Sequence, residues 1–161
     1  MPRPTTTPAA LPADRREARS VIWRLVEPTT PETAGIPLTS TRAHQLLKRG
    51  ISSQTLGPLS EFLGLGKGVV AEYLDLDRST ANRRATKGQL LPMHSAESVL
   101  RLLELDQMAA DTFESEAEAS DWLRRPHPML DGETPLECAK TSYGAQRVKD
   151  ILLAIQYGGV V

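Results

Sequence analysis

A single cysteine, Cys138, excludes an internal disulfide framework and any zinc site built on several thiolates. The three histidines, His44, His94 and His127, are spread along the chain without a local ligand pair, so no metal is expected. Aromatic residues make up only 4% and are scattered, which supplies no stacking platform for single strands or RNA. No stretch approaches the ~18 uninterrupted apolar residues of a spanning helix. The N-terminus lacks the apolar block of a secretory signal, so the cytoplasm is the expected location, with no membrane partner. Excess charge of one sign is also missing: the formal net charge is −1, and bulk electrostatics neither demands nor forbids a polyanionic partner. Period-two alternation of β-branched residues is absent, so little strand is expected beyond a two-residue bridge.

What remains is an all-α pattern of 161 residues, enough for one core or two small lobes. Residues 1–12 carry Pro2, Pro4, Pro8 and Pro12 and read as a flexible arm. A first helix is expected over Ala13 to Val26, followed by a proline-rich linker that ends at Pro37. Residues 38–92 and 93–161 then read as two helical domains. In the first, Ser40 or Thr41 caps a helix closed by Gly50. Ser52 or Ser53 opens the next, with Pro58 moving its start toward Gly57 or Pro58.

Charge is partitioned rather than balanced. Arg78 to Lys87 holds four basic residues and no acid, whereas Glu104 to Asp121 holds seven acidic residues and no lysine or arginine. Only the first stretch can meet phosphate. It follows a short helix over Lys67 to Leu74 and a three-residue turn, Asp75 to Asp77, in which Leu76 is the expected buried hydrophobe and Asp77 the N-cap. Two short helices joined in this way are the sequence picture of a helix-turn-helix. On that reading Ser79, Thr80 and Asn82 contact base edges or phosphate, and Arg78, Arg83, Arg84 and Lys87 neutralise phosphates or pair with guanine in duplex DNA. A solvated basic face on a plain structural corner gives the same pattern.

Downstream, Leu90 to Phe113 reads as a long helix. Ser115 with Glu118 opens another that carries Ala119, Trp122 and Leu123 inward. Thr134, Pro135 and Glu137 have the spacing of a capping box and place a helix start at Pro135. A final helix near Ser142 to Tyr157 puts Ala145, Val148, Ile151, Leu152 and Ile155 on one face and ends at Gly158 and Gly159. No nucleophile–base set or glycine-rich phosphate loop is present, so neither a catalytic residue nor a cofactor is expected, and Cys138 reads as core.

The order of these motifs resembles the Xre/MbcA/ParS antitoxins, partners of RES-domain toxins, from about Gly50 to Val161. Thr80-Ala-Asn-Arg-Arg84 with Lys87-Gly-Gln-Leu90 carries the resemblance. So do Glu97-Ser98, Leu100-Arg-Leu102, Ala119-Ser-Asp-Trp-Leu123, Pro126-His-Pro-Met-Leu130, Thr134-Pro-Leu136 and Thr141-Ser-Tyr-Gly144. Two places depart from the family: Val99-Leu100 replaces an acidic residue and arginine, and Asp75 replaces the turn glycine. The resemblance implies an Xre-like N-terminal domain and a C-terminal toxin-binding domain. It further implies inhibition of a NAD-consuming toxin by covering its active site, together with repression of the operon. Tyr157, Gly158, Gly159, Val160 and Val161 are then the expected toxin-binding tail, the alternative being a frayed terminus. A homodimer within a larger hetero-oligomer is expected, from the two half-sites such motifs read and from apolar faces around Trp23 and Leu46 to Phe62. The competing reading is a stand-alone regulator whose C-terminal module dimerises or senses a ligand.

Overall fold

The computed structural model describes residues 14–28 and 37–158. The expected arm over residues 1–12, most of the linker, and the tail residues Gly159, Val160 and Val161 lie outside the described residues. Among the described residues the fold is all-α: α1 Arg15–Val26, α2 Ser40–Arg49, α3 Leu56–Leu63, α4 Lys67–Tyr73, α5 Arg78–Lys87, α6 Met93–Phe113, α7 Glu116–Arg124, α8 Pro135–Cys138 and α9 Ser142–Gln156. Two 3-10 turns, Ser53–Thr55 and Pro128–Leu130, precede α3 and α8. The extended pairing among these residues is one antiparallel bridge, Ser52 with Leu90. No helix of the described residues is long and apolar enough to cross a membrane.

The described chain divides into two units. The first comprises α1 with residues 51–72 and 76–90. Asp14 caps α1, which buries Ile22, Trp23 and Val26 and packs on α3 with its Leu59, Phe62 and Leu63. The Arg15 and Arg19 guanidinium groups lie 4.2 and 5.3 Å from the Phe62 ring centroid, and Arg15 donates to the Phe62 carbonyl at 3.1 Å. Stacking on an aromatic face lets these cations be buried among apolar groups. Trp23, Leu46, Leu59 and Phe62, expected to offer apolar surface to a second copy, are instead buried within the chain itself. α3 begins at Leu56, upstream of the expected Gly57 or Pro58, because Pro58 falls in the first helical turn, where its missing N–H costs no intrahelical bond.

The second unit comprises residues 37–50, 73–75 and 91–158. α2 therefore groups with it and packs on α6. Its cap is Thr39, whose hydroxyl accepts from the Arg42 N–H at 3.1 Å, rather than Ser40 or Thr41. α6 is the central rod: it buries Val99, Leu102, Leu103, Leu105 and Ala109 and packs on α7 and α9, which bury Ala119, Leu123, Ala145, Val148 and Leu152. α6 starts at Met93, not Leu90, since Pro92 holds the preceding residue out of the helical region. Trp122 is half-buried rather than inward, its ring between Phe113 and His127 at centroid distances of 5.7 and 5.0 Å. α9 is tied to α6 by the Lys149–Glu104 ion pair, and Arg101 of α6 donates to the Ala139 carbonyl at 2.8 Å.

Candidate functional sites on the basic helix and the C-terminal helix

The basic helix grows out of a reversal at Asp75. α4 ends with Asp75 at φ +54° and the Leu76 N–H bonded to the Ala71 carbonyl at 2.9 Å. The same five-residue-back bond closes α3 at Gly64 (φ +66°, Leu65 N–H to Ser60, 3.0 Å) and α5 at Gly88 (φ +64°, Gln89 N–H to Arg84, 2.9 Å). This is a Schellman closure, and of these three it is the one at α4 in which a residue with a side chain takes the left-handed position. Leu74, rather than the expected Leu76, is the fully buried hydrophobe of this turn; Leu76 is half-buried. Ser95 donates its hydroxyl to the Leu74 carbonyl at 2.8 Å, and His94 Nε2 lies 3.2 Å from the Asp75 carbonyl oxygen.

Asp77 then caps α5. Its carboxylate accepts from the Ser79 hydroxyl and from the Thr80 N–H, and these bonds hold its pKa below the usual carboxylate value. The charge that faces the start of α5 is thus committed to the cap. Ala81 is the buried residue of this helix. Ser79, Asn82, Arg83 and Lys87 are exposed and share the outward side, while Thr80 and Arg84 are half-buried. Two of the expected cations are engaged within the chain. Arg84 donates to the Leu90 carbonyl at 3.0 Å, and the Arg78 guanidinium packs so closely on Gly68 of α4 that a Cβ there would overlap it. Arg83 and Lys87 therefore form the outward cationic face.

The second site is the outer side of α9. Thr141 caps the helix by accepting from the Gly144 N–H at 3.0 Å, and Ala145, Val148 and Leu152 bury the inner face. Opposite them, Tyr143, Arg147, Asp150, Ala154 and Tyr157 recur at helical spacing. Tyr157 is 81% exposed, and Gly158 follows at φ +72°, so the chain turns off the helix axis beyond an uncovered ring. The residues described thus bring Tyr157 and Gly158 to one helix end. Sequence reasoning missed Tyr143, 89% exposed on the same side, although its spacing from Tyr157 is legible as a helical repeat.

No group of three or more His, Cys, Asp or Glu side chains that could hold a metal occurs among the described residues. Cys138 is buried and donates to the Glu133 carboxylate at 3.2 Å; burial, then that carboxylate, pushes its thiol up to about 11. It is protonated at neutral pH and unfit as a nucleophile.

Residues 108–158, which hold α7, α8, α9 and the end of α6, match the family described as the antitoxin Xre/MbcA/ParS C-terminal toxin-binding domain. The chain is also similar to the Prs ADP-ribosylating antitoxin of Sphingobium sp. (strain YBL2), 30% identical over 122 residues that cover 70% of this chain and 77% of the relative. With a toxin-binding domain at one end and likeness to an antitoxin over most of its length, the chain belongs to the Xre/MbcA/ParS antitoxins of toxin–antitoxin systems, proteins that bind a toxin rather than turn over a substrate.

Proposed function

We propose that this antitoxin neutralises a RES-domain toxin that consumes NAD by seating the end of α9 and the tail from Tyr157 to Val161 over the toxin's active-site mouth. The observation that carries this reading is the uncovered Tyr157 ring at the tip of a helix whose inner face is locked into the core. A rigid stalk with an aromatic tip loses little entropy on docking, and an aromatic side chain in a pocket is the commonest kind of binding hot spot. The relative's name couples an antitoxin to ADP-ribosylation, a reaction that takes its ADP-ribose from NAD, which agrees with a target pocket built for a dinucleotide.

The same chain works in the cytoplasm as a homodimer within the toxin complex. It represses its operon through α4, the Asp75 turn and α5 as a helix-turn-helix, with Arg83 and Lys87 on phosphate and Ser79 and Asn82 toward the groove. Support for this comes from the buried Ala81 side of α5, the capped N-terminus and the outward cationic face.

Co-expression tests the inhibitory part. The chain ending at Gln156 folds and co-purifies with the RES-domain protein encoded beside it, yet cells carrying the pair stop growing, whereas the full chain protects them. Full protection by the truncated chain contradicts the reading.

A further inference from the structure

Residues 157–161 by themselves make a small interface. Stable complexes bury about 800 Å² per partner, contributed by about 20–30 residues a side, so residues 157–161 account for roughly a fifth of what a tight inhibitor needs. More surface of this domain must be covered by the toxin, and the distribution of exposed apolar groups indicates where. Among the described residues seven large apolar side chains are exposed: Val21, Leu90, Met93, Met129, Tyr143, Leu153 and Tyr157. Three of them lie on α9 or at its end, and a fourth, Met129, is in the 3-10 turn stitched to α9.

The stitch is Arg147. Its guanidinium donates to the Met129 carbonyl at 2.9 Å and pairs with the Asp131 carboxylate at 3.5 Å, while Asp131 itself turns the loop at φ +56°. Tyr143 stands one helical turn before Arg147 on the same side of α9. Tyr143, at 89% exposure, thus stands one turn from an arginine whose guanidinium holds the backbone of Met129, itself 38% exposed. An aromatic ring and a thioether beside an arginine, on backbone already tied down, is the composition of an interface centre rather than of ordinary surface.

We propose that the toxin docks on a second, upstream anchor formed by Tyr143 and Met129 around Arg147. This anchor lies about 21 Å along α9 from Tyr157, 14 residues at 1.5 Å each, so that the outward side of the helix from Tyr143 to Tyr157 is one continuous interface. The proposal rests on the reading of α9 as the toxin-facing helix. It adds affinity and partner discrimination at a distance from the active-site mouth: the tail blocks, and the upstream anchor holds.

Tyrosine nitration by tetranitromethane, followed by peptide mass spectrometry, tests it on the free chain and on its co-purified complex with the adjacent RES-domain protein. Half-buried Tyr73 serves as the internal reference. In the free chain Tyr143 and Tyr157 are nitrated quickly; in the complex both slow by about tenfold or more. Tyr143→Ala leaves the unfolding midpoint unchanged, because the ring covers nothing, and raises the Kd for the toxin by about tenfold. Protection of Tyr157 alone, with Tyr143 nitrated at its free rate and the Kd unmoved, overturns the upstream anchor and leaves the tail reading standing. Protection of neither tyrosine overturns both. Protection of Tyr143 in the free chain as its concentration rises assigns the surface to a second copy and also overturns the proposal.

Discussion

At position 75 a carboxylate side chain occupies backbone that glycine supplies in the two parallel closures at Gly64 and Gly88. The left-handed conformation costs an L-residue about 1–2 kcal/mol, less for aspartate, while glycine gives back part of that gain as chain entropy in the unfolded state. The first effect wins at a site whose side chain is exposed, so Asp75→Gly raises the unfolding free energy by about 0.5–1 kcal/mol in urea denaturation; a loss of stability contradicts this account of the turn. Gly144 presents the opposite balance. Alanine would improve helix propensity by about 1 kcal/mol or less in the first turn of α9. A Cβ there, however, overlaps the Cys138 carbonyl oxygen and lies 2.8 Å from the Cys138 carbonyl carbon, and backbone does not step aside. Overpacking of this kind costs about 1–3 kcal/mol, so Gly144→Ala destabilises by about 1–2 kcal/mol in the same measurement. The glycine missing at 75 is legible from the family pattern, and the close approach at 144 is not. Nothing in the local string says that a carbonyl six residues upstream folds back against it.

Helix starts are legible where their signal is chemical and local. Asp77 caps α5, Ser115 caps α7, and Thr134 with Glu137 completes a reciprocal box at α8, with N–H to oxygen distances of 3.0 and 3.2 Å. They fail where apolar periodicity runs past a backbone constraint, as at Leu90 and Leu91 before Pro92. On α5 the sequence presents four equivalent cations. Only the fold separates Arg78, packed on Gly68, and Arg84, bonded to Leu90, from the outward Arg83 and Lys87. Arg83→Ala with Lys87→Ala is therefore the informative pair, because it removes charge without disturbing either packing contact. If α5 lies on phosphate, operator affinity falls for every sequence tested and the slope of log K against log salt drops by about two. An unchanged slope removes DNA from the account of this helix.

For the whole molecule, the grouping of α2 with α6 and of residues 73–75 with the second unit is set by long-range packing that no window of the sequence displays. The all-α class is visible in periodicity alone, and so is the α9 core face, of which Ala145, Val148 and Leu152 are buried while the expected Ile151 and Ile155 are half-buried. The outward side of α9 is harder to read, since an exposed tyrosine and a buried one have the same letter. The central claim is that inhibition is occupancy: a folded helical body holds the toxin and a short terminal segment fills the place of its dinucleotide. The most direct measurement is NAD consumption by the purified toxin proposed as its partner, titrated with the full chain and with the chain ending at Gln156. The account predicts that the full chain abolishes NAD loss at stoichiometric concentration, while the shortened chain binds yet leaves most of the activity. Equal inhibition by the two chains, or NAD loss that neither chain slows, contradicts it.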